Sequence, residues 1–169
     1  MSRAFVKEDD AELPGDDLPE RPQSPHPNYV TSQGLKALQR RVEKLQEERR
    51  TLTEGGEPEM LDKEHLKLVE RDLRYWQERL DKAIQIDPAT QAHDKVGFSA
   101  TVETVDDNDV KRTFMLVGED EAEPKAGKIS WVSPLARALS GASVGDTVLW
   151  KRPAGDLSLE ILSIKYPKA

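Results

Sequence analysis

Two heptad runs constrain this chain more than any other feature. Leu35, Leu38, Val42, Leu45 and Leu52 fall at steps of 3, 4, 3 and 7; Leu66, Val69, Leu73, Trp76, Leu80 and Ala83 fall at steps of 3, 4, 3, 4 and 3. Such spacing lays an apolar seam along one side of an α-helix. A lone helix of this length is not reliably stable in water, so the two arms must pack on each other. Between them lies Thr51-Leu52-Thr53-Glu54-Gly55-Gly56-Glu57-Pro58-Glu59-Met60-Leu61. Gly55-Gly56 admits the positive φ of a tight reversal. Pro58 suits the first turn of a new helix, where its missing N–H costs nothing. Thr31 or Ser32 caps the first arm. The expectation is an antiparallel α-helical coiled-coil hairpin over residues 29–86, with arms of ~30–38 Å at ~1.5 Å per residue.

After Asp87-Pro88 the period shortens to about 2, the repeat of strands. Phe98–Val105 alternates, Asp106–Asp109 reads as a turn, and Arg112–Val117 returns as a second strand. Lys128–Val132 is a third strand, and Thr147–Lys151 pairs with Leu157–Ile164 around Arg152-Pro153-Ala154-Gly155. Ser133–Leu139 reads as a short helix, with Ser133 at the N-cap, Pro134 at the first position and Gly141 just beyond the end. Helices followed by strands give an α+β chain. Its parts are an acidic Pro-rich tail over 1–28, the hairpin over 29–86, a linker over 87–95, and a β-sheet domain with one short helix over 96–169. The tail is expected to be disordered or extended, because prolines among acidic residues bury too little apolar surface to offset ordering entropy.

Composition narrows the function. Charged residues make up 34% of the chain and aromatics 5%, a thin core for 169 residues. There is no cysteine, which excludes a disulfide framework, a thiolate zinc site and a cysteine nucleophile. His26, His65 and His93 have no neighbours at ligand spacing, so no metal site is indicated. The net charge of −7 argues against indiscriminate nucleic-acid binding. Residues 29–86 hold 12 basic and 12 acidic residues, and Arg40, Arg41, Arg49, Arg50, Arg71, Arg74 and Arg79 alternate with glutamates. That pattern reads as solvated pairing at i,i+4, or as a weak basic stripe facing RNA. Trp76 sits on the seam and reads as packing. With no signal-type h-region and no apolar run of membrane length, a cytoplasmic protein without membrane contact is expected.

The C-terminal half resembles the bacterial Gre transcription factors, GreA and GreB. The likeness runs through Val96-Gly97-Phe98, Val117-Gly118-Glu119-Asp120-Glu121-Ala122, Ser133–Leu139, Val144-Gly145-Asp146, Pro153-Ala154-Gly155 and Ile161–Tyr166. Tyr29-Val30-Thr31, Gly34-Leu35 and Ile86-Asp87 extend it to the hairpin. The resemblance implies a C-terminal domain similar to FKBP-type folds that docks at the rim of the RNA polymerase secondary channel. Ser133, Pro134 and Arg137 are its docking candidates, and Val132 stands where the family has Asp or Asn. It implies a hairpin inserted toward the catalytic Mg²⁺, with the factor a monomer, touching nascent RNA only indirectly and holding no cofactor of its own. Any RNA cleavage is then the polymerase's, assisted by tip carboxylates that share its Mg²⁺.

The tip departs from the family. Cleavage-competent members carry a pattern resembling Gly-Asp-Leu-Ser-Glu-Asn-Ala-Glu-Tyr, and nothing here matches it. The hairpin is short by about a dozen residues, or ~9 Å of reach per arm at the helical rise. Glu54, Glu57, Glu59 and Asp62 are the carboxylates available to assist the polymerase's Mg²⁺. Asp62 lies on the seam's side of the second arm, where it weakens packing. The reading is a secondary-channel regulator of elongation with weak or no cleavage stimulation. Its alternatives are an active cleavage factor with an unusual acidic tip, and a coiled-coil interaction protein that does not act on polymerase. A prolyl isomerase would rest on fold analogy alone.

Overall fold

A computed structural model describes residues 18–56 and 59–168. The expected helix start at Pro58, the carboxylate of Glu57 and the tail's first 17 residues lie outside the described residues. The chain divides into two compact units. Among the described residues, one comprises 18–25 together with Ala37–Lys82, the other His26–Lys36 and 83–168. Two long helices and a mixed β-sheet make it an α+β protein.

In the first unit, α1 (Ser32–Thr53) and α2 (Met60–Asp81) have 22 residues each, or ~33 Å per arm. Cross-arm contacts pair Arg41 with Trp76 near the base, and Arg49 with Glu70 and Glu48 with His65 nearer the turn, so later residues of α1 meet earlier residues of α2. The arms are antiparallel. Leu38, Val42 and Val69 are buried, and Leu45, Leu52, Leu66, Leu73, Trp76 and Leu80 are half-buried along the seam. Arg50 pairs locally as the spacing suggests, with Glu47 and Glu54; Arg49 instead reaches across the arms to Glu70, and Arg74 binds Glu20 from the segment before the hairpin.

For residues 18–25 the extended alternative fits, with a partner surface that composition does not reveal. Residues 18–25 lie against α2, and Asn28–Val30 form strand β1. The sequence around them is acidic and Pro-rich, but Arg21, Gln23 and Glu20 find partners more than fifty positions away in α2, beyond the reach of local pattern reading.

In the second unit, β1 pairs in parallel with β2 (Ala83–Gln85), and Ile86 donates its N–H to the Val30 carbonyl at 3.1 Å. A parallel pair needs a long crossover, and here the whole helical hairpin is that connection. The expected linker is not a free one. Asp87 caps a 3₁₀ turn at Pro88–Thr90, Tyr166 donates its hydroxyl to the Lys95 carbonyl at 2.6 Å, and His93 stacks on the Tyr166 ring.

Five strands follow: β3 (Thr101–Asp106), β4 (Lys111–Val117), β5 (Lys128–Ser130), β6 (Thr147–Trp150) and β7 (Leu157–Lys165). Their order is β5-β4-β3-β7-β6, antiparallel except for the β4–β5 pair. Strand β3 starts three residues later than its alternation suggests, because Ser99 holds a left-handed φ of 71°. Strand β5 stops at Ser130, where Ser133 turns back to donate to the Ser130 carbonyl. Helix α3 (Pro134–Leu139) covers the sheet with Leu135, Ala136 and Leu139, against Val102, Leu116, Leu159 and Ile161.

Two carboxylates hold this unit together. Glu121 accepts the Thr31 N–H at 3.1 Å, the Thr31 hydroxyl, and the Gly118 N–H at 3.3 Å. Thr31 in turn caps α1 by accepting the Gly34 N–H at 3.0 Å, which settles the choice between Thr31 and Ser32. The knot is tight: a Cβ on Gly118 would lie 2.3 Å from the Tyr29 carbonyl oxygen. Asp106 ties the β3–β4 turn, accepting Arg112 Nη1 at 2.6 Å and the N–H groups of Asn108 and Val110. The Arg112 guanidinium, then the backbone donors, hold its carboxyl below the usual range.

Truncating Glu121 leaves buried donors without an acceptor. Glu121→Ala is expected to lower stability by about 2 kcal/mol and Glu121→Gln by less, read by thermal or urea unfolding. For Asp106, the folded pKa lies below an unfolded value of about 3.9. Its carboxylate therefore contributes stability above that pH, and the contribution fades as pH falls through the folded value. Asp106→Asn should lower Tm at neutral pH, with the gap from wild type narrowing below about pH 4. A gap constant across the acid limb contradicts this.

Candidate functional sites: the hairpin tip and the α3 face

The tip is built by a helix stop and a restart. Glu54 donates its N–H to the Arg50 carbonyl at 2.9 Å, closing α1. Gly55 and Gly56 follow with φ of 88° and 109°, values that side chains beyond glycine rarely adopt. Glu59 is the N-cap of α2 through its backbone, with its carboxylate making no cap hydrogen bond. Its carbonyl accepts the Lys63 N–H at 2.8 Å. Asp62 stands in the first turn, where a carboxylate complements the macrodipole.

Of the expected tip carboxylates, Glu54 is engaged by an arginine and Glu57 lies outside the described residues. Arg50 takes one oxygen of Glu54 at 3.2 Å while its other nitrogens bind Glu47. Those hydrogen bonds hold the Glu47 carboxyl below its ordinary range. Glu54 is thus half of an i,i+4 ion pair. Among the described residues, no group of three His, Cys, Asp or Glu side chains is placed to hold a metal ion. His65 meets one carboxylate, Glu48, at 3.6 Å across the arms, which does not make a metal site.

The tip displays something the carboxylate reading overlooked. Met60 and Leu61 are 76% and 78% exposed. The reason lies in heptad phase. Carrying the α2 seam back from Leu66 puts Asp62 and Glu59 on the seam positions and leaves Met60 and Leu61 off them. The tip inverts the pattern of the arms, with acids toward the seam and apolar side chains outward. That signal was present in the spacing.

The second candidate face is α3. The Ser133 hydroxyl accepts the Ala136 N–H at 3.2 Å, so its oxygen is used as a cap. Pro134 and Arg137 are exposed on the outer side while Leu135, Ala136 and Leu139 are buried. The structure therefore separates the three docking candidates: Ser133 shapes the helix, and Pro134 and Arg137 present its surface. Val132 is half-buried and donates its N–H to the Ser130 hydroxyl. Next to it, Trp131 packs on Tyr29 with ring centroids 4.9 Å apart.

Comparison with known proteins assigns the chain. Residues 91–166 match the family described as transcription elongation factor, GreA/GreB, C-terminal. Transcription elongation factor GreB of Neisseria meningitidis serogroup B is 34% identical over 156 residues, spanning 83% of this chain and 95% of that protein. Transcription elongation factor GreA of Nitratiruptor is 33% identical, spanning 81% of this chain and 92% of its own. Among solved structures, the GreA factor homolog 1 of Thermus thermophilus covers 83% of this chain and 99% of its own, at 20% identity and a TM-score of 0.40. Identity above 30% across nearly the whole length of the relatives, together with a matching C-terminal region, places this chain in the GreA/GreB family of transcription elongation factors.

Proposed function

We propose that this chain regulates transcription elongation by binding RNA polymerase, with the α3 face docking at the secondary channel and the hairpin entering it, and that it stimulates transcript cleavage weakly or not at all. The observation that carries the second half is the tip. Glu54 is bound by Arg50, and the turn offers Met60 and Leu61 where a pair of free acids would be needed. The absence of a three-carboxylate group among the described residues supports a tip with no resident Mg²⁺; one shared with the polymerase would need most of its oxygens from the polymerase. The chain is then no nuclease itself. Its part is to occupy space near the reacting RNA, and in catalysis a misplacement of ~1 Å is already costly.

Support for docking comes from family membership together with the exposed Pro134 and Arg137 beside a capped helix end. Met60 and Leu61 favour one further reading, a hairpin that binds a protein other than polymerase; failure of the chain to co-purify with polymerase would select it.

In a cleavage assay on backtracked elongation complexes, little stimulation is expected, and the combined Glu54→Ala, Glu57→Ala and Glu59→Ala variant should behave as wild type. Vigorous cleavage that this variant abolishes would overturn the proposal. Arg137→Glu is expected to weaken polymerase binding about tenfold, equivalent to ~1.4 kcal/mol, with a reduced dependence on salt. Unchanged affinity would remove α3 from the docking surface.

A further inference from the structure

Residues 18–25 have an arrangement that composition hides. Leu18, Arg21, Gln23 and Ser24 are half-buried, and Pro19, Pro22 and Pro25 are exposed. The prolines, and with them Leu18, Arg21 and Ser24, repeat every three residues, the period of a polyproline II helix. Each of those three residues immediately precedes a proline, and a following proline confines it to extended backbone. The prolines thus set the period that aims Leu18, Arg21 and Ser24 to one side.

That side meets α2. The Arg21 guanidinium lies 4.1 Å from the Tyr75 ring centroid and 5.6 Å from that of Trp76, and pairs with Asp72 at 3.3 Å. Glu20 engages Arg74 through both carboxylate oxygens, with the shortest contact at 2.6 Å. Gln23 donates to the Tyr75 carbonyl at 3.1 Å. From α1, Arg41 lies 4.2 Å from the Trp76 centroid. Trp76 therefore takes one guanidinium from α1 and one from the segment before it, so the segment reaches both arms through a shared aromatic ring. The hairpin needs such help. Two antiparallel helices bury one stripe each, and most of the seam leucines here are only half-buried.

We propose that residues 18–25 are a third packing element of the helical hairpin, a proline-spaced strap in which Glu20 and Arg21 act as positioning residues that keep the two arms in one arrangement. The prolines also lower the entropy lost when the strap docks. Its use rests on the proposed polymerase role: a probe entering a channel must resist bending, and the strap stiffens its shaft.

The test is hydrogen exchange on the full chain, read at α2 amides around Asp72–Trp76 and at β3 and β7 amides as an internal control. Glu20→Arg and Arg74→Glu should each raise α2 opening about threefold, as for a well-formed surface ion pair, and the double reversal should return it toward wild type. Arg21→Ala should raise opening about tenfold, since it removes both a cation–π contact and an ion pair, with Arg21→Lys intermediate. Exchange at β3 and β7 should not move. Unchanged α2 exchange in Arg21→Ala, or a double reversal as open as the sum of its singles, overturns the strap. Polymerase binding separates the two claims. A wild-type chain that binds no polymerase overturns the proposed function and leaves the exchange results to judge the strap. A wild-type chain and an Arg21→Ala variant that bind equally overturn the strap's service to that function.

Discussion

The carboxylate of Glu121 is the point on which the C-terminal unit turns. It holds the Thr31 backbone and hydroxyl, Thr31 caps α1, and the same carboxylate holds the Gly118 amide at the end of β4. One side chain thereby ties the N-cap residue Thr31 to the backbone that follows β4. The parallel pairing of β1 and β2 joins the segments that precede and follow the hairpin in sequence. Glycines at 34 and 118 are part of the same knot, since a Cβ on Gly34 would fall 2.3 Å from the Glu121 carboxylate. Among the described residues, no comparable knot of hydrogen bonds closes the other end of the hairpin. There the chain reverses on two glycines and displays two apolar side chains to solvent.

That contrast shapes the functional reading. The base is over-determined by buried hydrogen bonds, and the tip is made of exposed charges whose pairs contribute little individually. A tip evolved to present acids would leave their oxygens unclaimed. Here Arg50, one helical turn before Glu54, sits between Glu47 and Glu54 and engages both. Glu59 and Asp62 take the seam's phase, leaving Met60 and Leu61 as the exposed side chains nearest the turn. The hairpin itself is built, while Glu54, Glu59 and Asp62 are not gathered with a third carboxylate among the described residues.

Much of this was legible in the sequence. The seam steps and Gly55-Gly56 specified the hairpin, and the change of period after Pro88 specified a sheet. Ser133-Pro134 marked the start of α3 to the residue, because local geometry alone makes an N-cap followed by proline. What could not be read were partners far along the chain. Glu119-Asp120-Glu121 looks like a solvated acidic run until Thr31, ninety positions earlier, reaches it. Residues 18–25 look disordered by composition, because Arg21 and Glu20 depend on an α2 surface that no local window contains. Ser99 was read as strand since alternation reports side-chain pattern and is blind to φ. At the tip, the Arg50–Glu54 spacing was visible as an i,i+4 pair, but Glu54 was weighed as a free carboxylate.

The central claim is a factor that occupies the polymerase without supplying the cleavage chemistry. Competition tests it most directly: a backtracked elongation complex with a limiting amount of a cleavage-competent Gre factor, titrated with this chain. The account predicts that cleavage falls as the chain is added and that the competing factor is displaced. Cleavage that rises with added chain, or that is indifferent to it at any ratio, would contradict the account.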